Sequence, residues 1–213
     1  TATGNHAVQT DATEQPKIVS SGSLVSNGID FASGSTATLD IPTDLISSIN
    51  SASAFTVAKS DTTGSSRAAL ALSRNSPDFR FYNPIVASSN FSFGYQDSAT
   101  KISLGSADTN KHLFTAIAGS SNAEAFLDGT SKGTVSSADG KSALTTGGIG
   151  SINDGVFWNG QIEEILVYAS YQTANRGAYE GNIADHYGIT GVPTGANTVN
   201  GFVETWYDQS GNN

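Results

Sequence analysis

Apolar and polar positions alternate along most of this chain, in runs of a few residues each. Strand-like runs fall at Lys17–Ser20, Ile29–Phe31, Ala37–Ile41, Ala54–Lys59, Arg67–Ser73 and Phe79–Tyr82. They continue at Phe91–Tyr95, His112–Gly119, Ala123–Leu127, Gln161–Tyr168 and Phe202–Tyr207. Clusters of Gly, Asn, Asp and Ser, such as Ser60-Asp61-Thr62-Thr63-Gly64 and Asp128-Gly129, separate nearly all of them. Short strands with turn signals at this spacing predict a sandwich or barrel. Two stretches have helical period instead. Thr43–Asn50 follows Pro42 and carries Asp44 in its first turn. Thr173–Tyr187 has Thr173 as a candidate N-cap, Tyr179, Ile183 and Tyr187 on one face, and Gly188 as a stop.

Composition agrees with the pattern. The 213 residues include 23 Gly, no Cys and no Met, and only 14% are charged. Small-residue turns between short strands give such a profile, and Glu-, Lys- and Leu-rich helices do not. One large β domain at this length buries enough surface for a true core. The formal net charge is −9, and the ten Lys and Arg are scattered. Nucleic-acid binders concentrate basic side chains on one face, so a nucleic-acid role is excluded as an expectation. Without Cys there are no disulfides and no thiolate metal sites. No apolar run reaches the ~20 residues of a membrane span, so insertion into a membrane is not expected. Residue 1 reads as mid-protein, with no signal peptide visible.

The informative stretch is His112–Tyr168. It runs His112-Leu-Phe-Thr-Ala-Ile-Ala-Gly119, then Ala123-Glu-Ala-Phe-Leu-Asp-Gly129, then Gly147-Gly148-Ile149-Gly150-Ser151, then Phe157-Trp158-Asn159-Gly160-Gln-Ile-Glu-Glu-Ile-Leu-Val-Tyr168. This order resembles the closing half of laminin-G/concanavalin-like domains: a strand, a hairpin with Asp-Gly at its tip, an "iGs" strand and an "f-x-G-x-I-D-E-V-x-V-Y" strand. The resemblance implies an all-β, two-sheet antiparallel jelly-roll sandwich with one or two surface helices. Residues 1–192 would form the sandwich, and residues 193–213 a C-terminal strand segment that completes it or a neighbouring unit.

A second resemblance concerns the ends. Trp206-Tyr207-Asp208-Gln-Ser-Gly211 and Gly4-Asn5-His6-Ala-Val-Gln9 are similar to the two halves of "YDQSG-x-GNHxxQ", found in relatives of the arabinofuranosidase B catalytic domain. Here the first half stands last and the second half stands first. A tandem-repeat unit, a permuted domain and a segment that completes a neighbour would each produce this arrangement. Phe202, Val203, Trp206, Tyr207 and Asp208, with Gly4, Asn5 and His6, are therefore candidate assembly residues. They imply copies of the chain joined head-to-tail.

Candidate chemistry is sparse. Glycoside hydrolysis needs two carboxyl groups facing one sugar. Glu163 and Glu164 are adjacent on a strand, which directs them to opposite faces. The acid that the arabinofuranosidase relatives carry after a Gly-Gly pair is replaced by Ile149, with Asp154 nearby. Glu204, Trp206 and Asp208 share a strand face, but Asp208-Gln-Ser-Gly also makes a good turn sequence. No catalytic residue is assigned, and no enzyme is expected. The fold family often holds Ca2+ on loop oxygens, so Asp128, Asn153 and Asp154 are the metal candidates, with no other cofactor expected. His6, His112 and His186 are too scattered for zinc. Tyr82, Tyr95 and Trp158 are the candidate aromatic platforms for sugar, against the ordinary fate of sandwich aromatics as core.

The first expectation is a non-catalytic structural or adhesive module of an extracellular filament, tubule, adhesin or phage surface protein, placed outside the cell, on a cell surface or on a virion. The alternatives are a carbohydrate-binding, lectin-like module, with glycans as partners, and an arabinofuranosidase-related glycoside hydrolase.

Overall fold

The computed structural model describes residues 6–20, 23–24, 28–31, 36–47, 49, 51–64, 67–73, 80–95, 101–119, 122–136, 144–152 and 156–193. In chain order the strands begin with β1 (Val19–Ser20), β2 (Ser23–Leu24), β3 (Ile29–Phe31) and β4 (Leu39–Asp40). After helix α1 (Thr43–Ile46) come β5 (Ala52–Ser60), β6 (Arg67–Ala68), β7 (Leu70–Ser73), β8 (Arg80–Ala87), β9 (Asn90–Tyr95) and β10 (Lys101–Ser106). Next are β11 (Lys111–Ala118), β12 (Asn122–Leu127), β13 (Thr130–Ser136), β14 (Thr146–Ile149), β15 (Ser151–Ile152), β16 (Val156–Phe157) and β17 (Gly160–Tyr168), then helix α2 (Arg176–Tyr187).

Two large sheets carry the fold. One has the order β13-β12-β11-β5-β17-β3, and the other is a nine-stranded sheet centred on β8. On one side of β8 lie β6 and β7, and on the other β9, which pairs in turn with β10. The pairings are antiparallel except for β16 with β6. The expected two-sheet jelly roll is the observed fold.

The core shows why the sequence can build it. The inner face of the six-stranded sheet offers small residues, Ala52, Ala54, Ala58, Ala116, Ala118, Ala123 and Ala125, with Phe114 among them. The opposing sheet offers large ones, Leu70, Leu72, Phe81, Phe91, Phe93 and Leu104, all at most 1% exposed. Large against small lets two pleated faces interdigitate at close-packed density. Asn83 crosses this interface. Its amide donates to the carbonyl oxygens of Phe114 and Ala54 and to Thr56 Oγ1, at 3.1, 3.4 and 3.3 Å. The buried amide nitrogen finds partners, and they tie one sheet to the other.

β5 is covered on both faces, and its outer residues Phe55 and Val57 lie with Leu113 of β11 against Ile183 of α2. The helix begins at Arg176, not at Thr173, because residues 173–175 form a turn and Asn175 takes the cap position. Its predicted apolar face is correct: Tyr179, Ile183 and Tyr187 pack on the sheet. Gly188 ends it in the left-handed region with φ 65°. The first helix stops at Ile46, short of Asn50. No described helix is long and apolar enough to cross a membrane.

Candidate functional site

Chemistry collects where β11, β17 and the C-terminal end of α2 meet. A recess of about 610 Å³ opens there, lined by Gly28, Lys111, Glu163, Asp185, His186, Tyr187 and Gly188. Its geometry starts from a bulge. β17 pairs with β5 as Ile162 opposite Ala58, then Glu164 opposite Val57, so Glu163 is an extra residue. A bulge shifts the side-chain phase by one. Ile162, Ile165 and Val167 consequently pack on the inner core, while Leu166 and Tyr168 pack under α2.

The same bulge corrects the expectation that Glu163 and Glu164 point to opposite faces. Both reach Tyr187. Burial raises the Tyr187 pKa, and the charge and hydrogen bond of Glu164, followed by the charge of Glu163, raise it further. Glu163 is committed elsewhere: Lys111 Nζ lies 3.0 Å from its Oε2, with the Glu163 side chain only 4% exposed. Above it the backbone passes at Gly28, where a Cβ would stand 2.6 Å from the Ile162 carbonyl oxygen and 3.0 Å from Glu163 Cγ. Gly28 also has φ 134°, so only glycine permits this close cover. The Lys111 ammonium sits 5.6 Å from the Tyr187 ring centroid, and the His186 ring meets that of Tyr187 edge-on at 4.7 Å. Asp185 and His186 are exposed at the rim.

One residue away on β11, His112 faces the opposite way and closes a second network. Its Nδ1 is 2.6 Å from Asp128 Oδ2 and its Nε2 3.0 Å from Asp108 Oδ1. The ring rests edge-on against Phe91 and Phe114. Burial alone would lower the His112 pKa, but Asp128 and Asp108 outweigh it and raise the value. Asp108 is held below the usual range despite its own burial, by hydrogen bonds from the Asn110 backbone and from His112 and by the His112 charge. With both ring nitrogens engaged, His112 ties the β10–β11 connection to the β12–β13 turn and is not free to act as a base.

The predicted residues divide as follows. Trp158 is 1% exposed within the main core, and Tyr82 is 7% exposed in a smaller cluster with Ala68, Ala71 and Ile85. Neither ring presents an open face, because burial of large aromatic area wins over display. Tyr95 ends β9 opposite Phe81, and its side chain lies outside the described atoms. Asp128 occupies the hairpin tip with φ 48° beside Gly129 at 72°, as Asp-Gly predicts. Its carboxylate is spent, one oxygen on His112 and the other accepting from the Leu113 amide at 2.9 Å. It is therefore not an open metal ligand, and among the described residues no group of three His, Asp or Glu could hold a metal ion. His6 is exposed. Gly4, Asn5, Asn153, Asp154, Phe202, Val203, Trp206, Tyr207 and Asp208 lie outside the described residues.

Sequence reasoning missed the recess itself. Its residues come from four separated segments, and the only early signal was the Glu-Glu pair on a strand beginning with glycine.

No protein-family model matches this sequence, and no curated protein sequence matches it. Solved structures match its fold. The CBM40 module of Ruminococcus gnavus IT-sialidase superimposes with a TM-score of 0.56 at 11% identity, over 70% of this chain and 94% of the module. The NanB sialidase of Streptococcus pneumoniae does so at 0.54 and 13% identity, over 68% of this chain and 26% of the sialidase. Leech intramolecular trans-sialidase gives 0.53 at 12% identity, over 70% of this chain and 26% of the enzyme. The chain thus matches nearly the whole carbohydrate-binding module and about a quarter of each sialidase, and at these identities the likeness is one of fold: a lectin-like jelly roll.

Proposed function

We propose that this chain is a non-catalytic, carbohydrate-binding lectin-like module that acts outside the cell. The observation that carries the proposal is the recess between β11, β17 and α2, whose lining combines an aromatic ring with several hydrogen-bonding side chains. Sugars are recognised by that pairing, apolar ring faces on aromatics and hydroxyls on fixed polar groups. The shared architecture over 94% of the CBM40 module supports the class, although it concerns fold alone. A non-catalytic reading is supported by the engagement of the acid and base candidates: Glu163 with Lys111, and His112 with two aspartates.

The test is a glycan array with the whole chain, repeated with Tyr187→Ala and His186→Ala. Binding to at least one glycan class is expected, weakened about tenfold by either change. Array signals unaffected by both variants would place binding elsewhere, and no signal at all would defeat the proposal. Head-to-tail assembly into an extracellular filament is the separate reading drawn from the split terminal motif, most of which lies outside the described residues.

A further inference from the structure

Lys111 is the one ammonium among the residues lining the recess, and it is already used. Its Nζ stands 3.0 Å from a Glu163 carboxylate that is 4% exposed, with the Gly28 backbone close over Glu163 and the Tyr187 ring centroid 5.6 Å from the ammonium. A ligand anion that drew Lys111 away would leave Glu163 buried and unpaired. Leaving one charge of a buried pair behind is the costly part of breaking it. Lys111 is therefore not available to an acidic ligand.

The rim carboxylate points to the opposite preference. Asp185 is exposed, and no partner for it is found among the described residues. A carboxylate has two oxygens that only accept, which suits two neighbouring hydroxyls of one sugar ring and repels a sugar carboxylate. The chain's net charge of −9 biases encounter the same way at low salt.

We infer that the recess selects neutral sugars bearing adjacent hydroxyls and rejects acidic ones, with Glu163 as the specificity-determining residue because it neutralises Lys111. This rests on the glycan-binding reading of the same recess and narrows it. It also separates the chain from a sialic-acid binder of the same fold.

Calorimetric titration of the whole chain tests it, with lactose, cellobiose and xylobiose as neutral probes and α2,3-sialyllactose and glucuronic acid as acidic ones. The wild type should bind a neutral probe at least about tenfold more tightly than either acidic probe. Glu163→Gln keeps the shape and a hydrogen bond but frees the ammonium's charge. It should raise the ratio of acidic-probe to neutral-probe affinity about tenfold. Adding Lys111→Ala to that variant should remove the gain. Circular dichroism confirms that each variant is folded. Wild-type binding of sialyllactose that Lys111→Ala abolishes would overturn the inference and leave the glycan-binding proposal standing. An unchanged profile in Glu163→Gln would also overturn it. If no probe of either charge binds, the glycan-binding proposal falls first and the inference with it.

Discussion

His112 shows how much one residue can decide at the rim of the sandwich. Its raised pKa means that its two ion-paired hydrogen bonds favour the protonated ring in the folded state. That contribution is fully present below the unfolded histidine value of about 6.5 and is lost as pH rises through the folded-state value. Asp108, lowered, supplies the other limb: its share is present above the unfolded carboxylate value of about 3.9 and fades as pH falls through the folded one. Asp108 is 44% exposed, so solvent screens its share, and the alkaline limb should dominate. Urea melts should show stability declining as pH rises above about 6.5, with the slope flattened in His112→Gln. Identical slopes in the two proteins would remove His112 from the account. Trp158 gives a second test at this scale. As a core residue its replacement by Ala should cost about 3–5 kcal/mol in denaturant unfolding. A sugar platform would instead lose ligand affinity with little change in stability.

Among the elements, α2 depends on a buried ion pair as well as on its apolar face. Arg176 donates to Glu180, which is 1% exposed, and stacks over Phe126 with its guanidinium carbon 3.9 Å from the ring centroid. Burial raises the Glu180 pKa, and Thr115 and Arg176 pull it back. Arg176→Ala would strand that carboxylate, and partial access of solvent to Arg176 should hold the loss to about 2–4 kcal/mol. Glu180→Gln removes the charge but keeps the shape and should cost less than about 1 kcal/mol. Equal losses from both would mean that packing, not charge, holds the helix. The strands teach a related point. β13 has a polar sequence with an internal glycine and no clear alternation, while β10 is a brief alternation of buried Ile102 and Leu104 with Lys101, Ser103 and Gly105. Each exists because a neighbour offers a ladder, β12 for β13 across the Asp128-Gly129 turn and β9 for β10. The β8–β9 turn places Ser88 and Ser89 at φ 51° and 63°, which no glycine or asparagine announces.

For the whole molecule, the two sheets, the covering helix and the recess form a scaffold that leaves the ends of the chain to be tested separately. If the split motif joins successive copies, sedimentation of the full chain should show concentration-dependent association that deletion of residues 201–213 abolishes. A heterologous link of that kind gives open filaments unless its rotation closes a ring. A monomer at every concentration would retire the filament reading and leave glycan recognition untouched, since the recess uses none of those residues.

The sequence by itself determined the fold class, because alternation and turn chemistry are local and their period shows in any window. Ile29–Phe31, the strand around Ala54–Lys59, the Asp128-Gly129 turn and the face of α2 were all legible for that reason. What only the tertiary structure decided was phase and partnership. One extra residue at Glu163 put two neighbouring acids on the same helix-covered face, and no local pattern marks a bulge whose cause is the register of β5. Trp158 and Tyr82 were candidates for display in sequence, against the ordinary fate of core, and packing chose: Trp158 joins the main core, and Tyr82 a smaller cluster with Ala68, Ala71 and Ile85 of its own sheet. The recess joins Gly28, Lys111, Glu163 and Tyr187 across long stretches of chain. Such a site is set by which strands lie side by side, a non-local choice that packing makes.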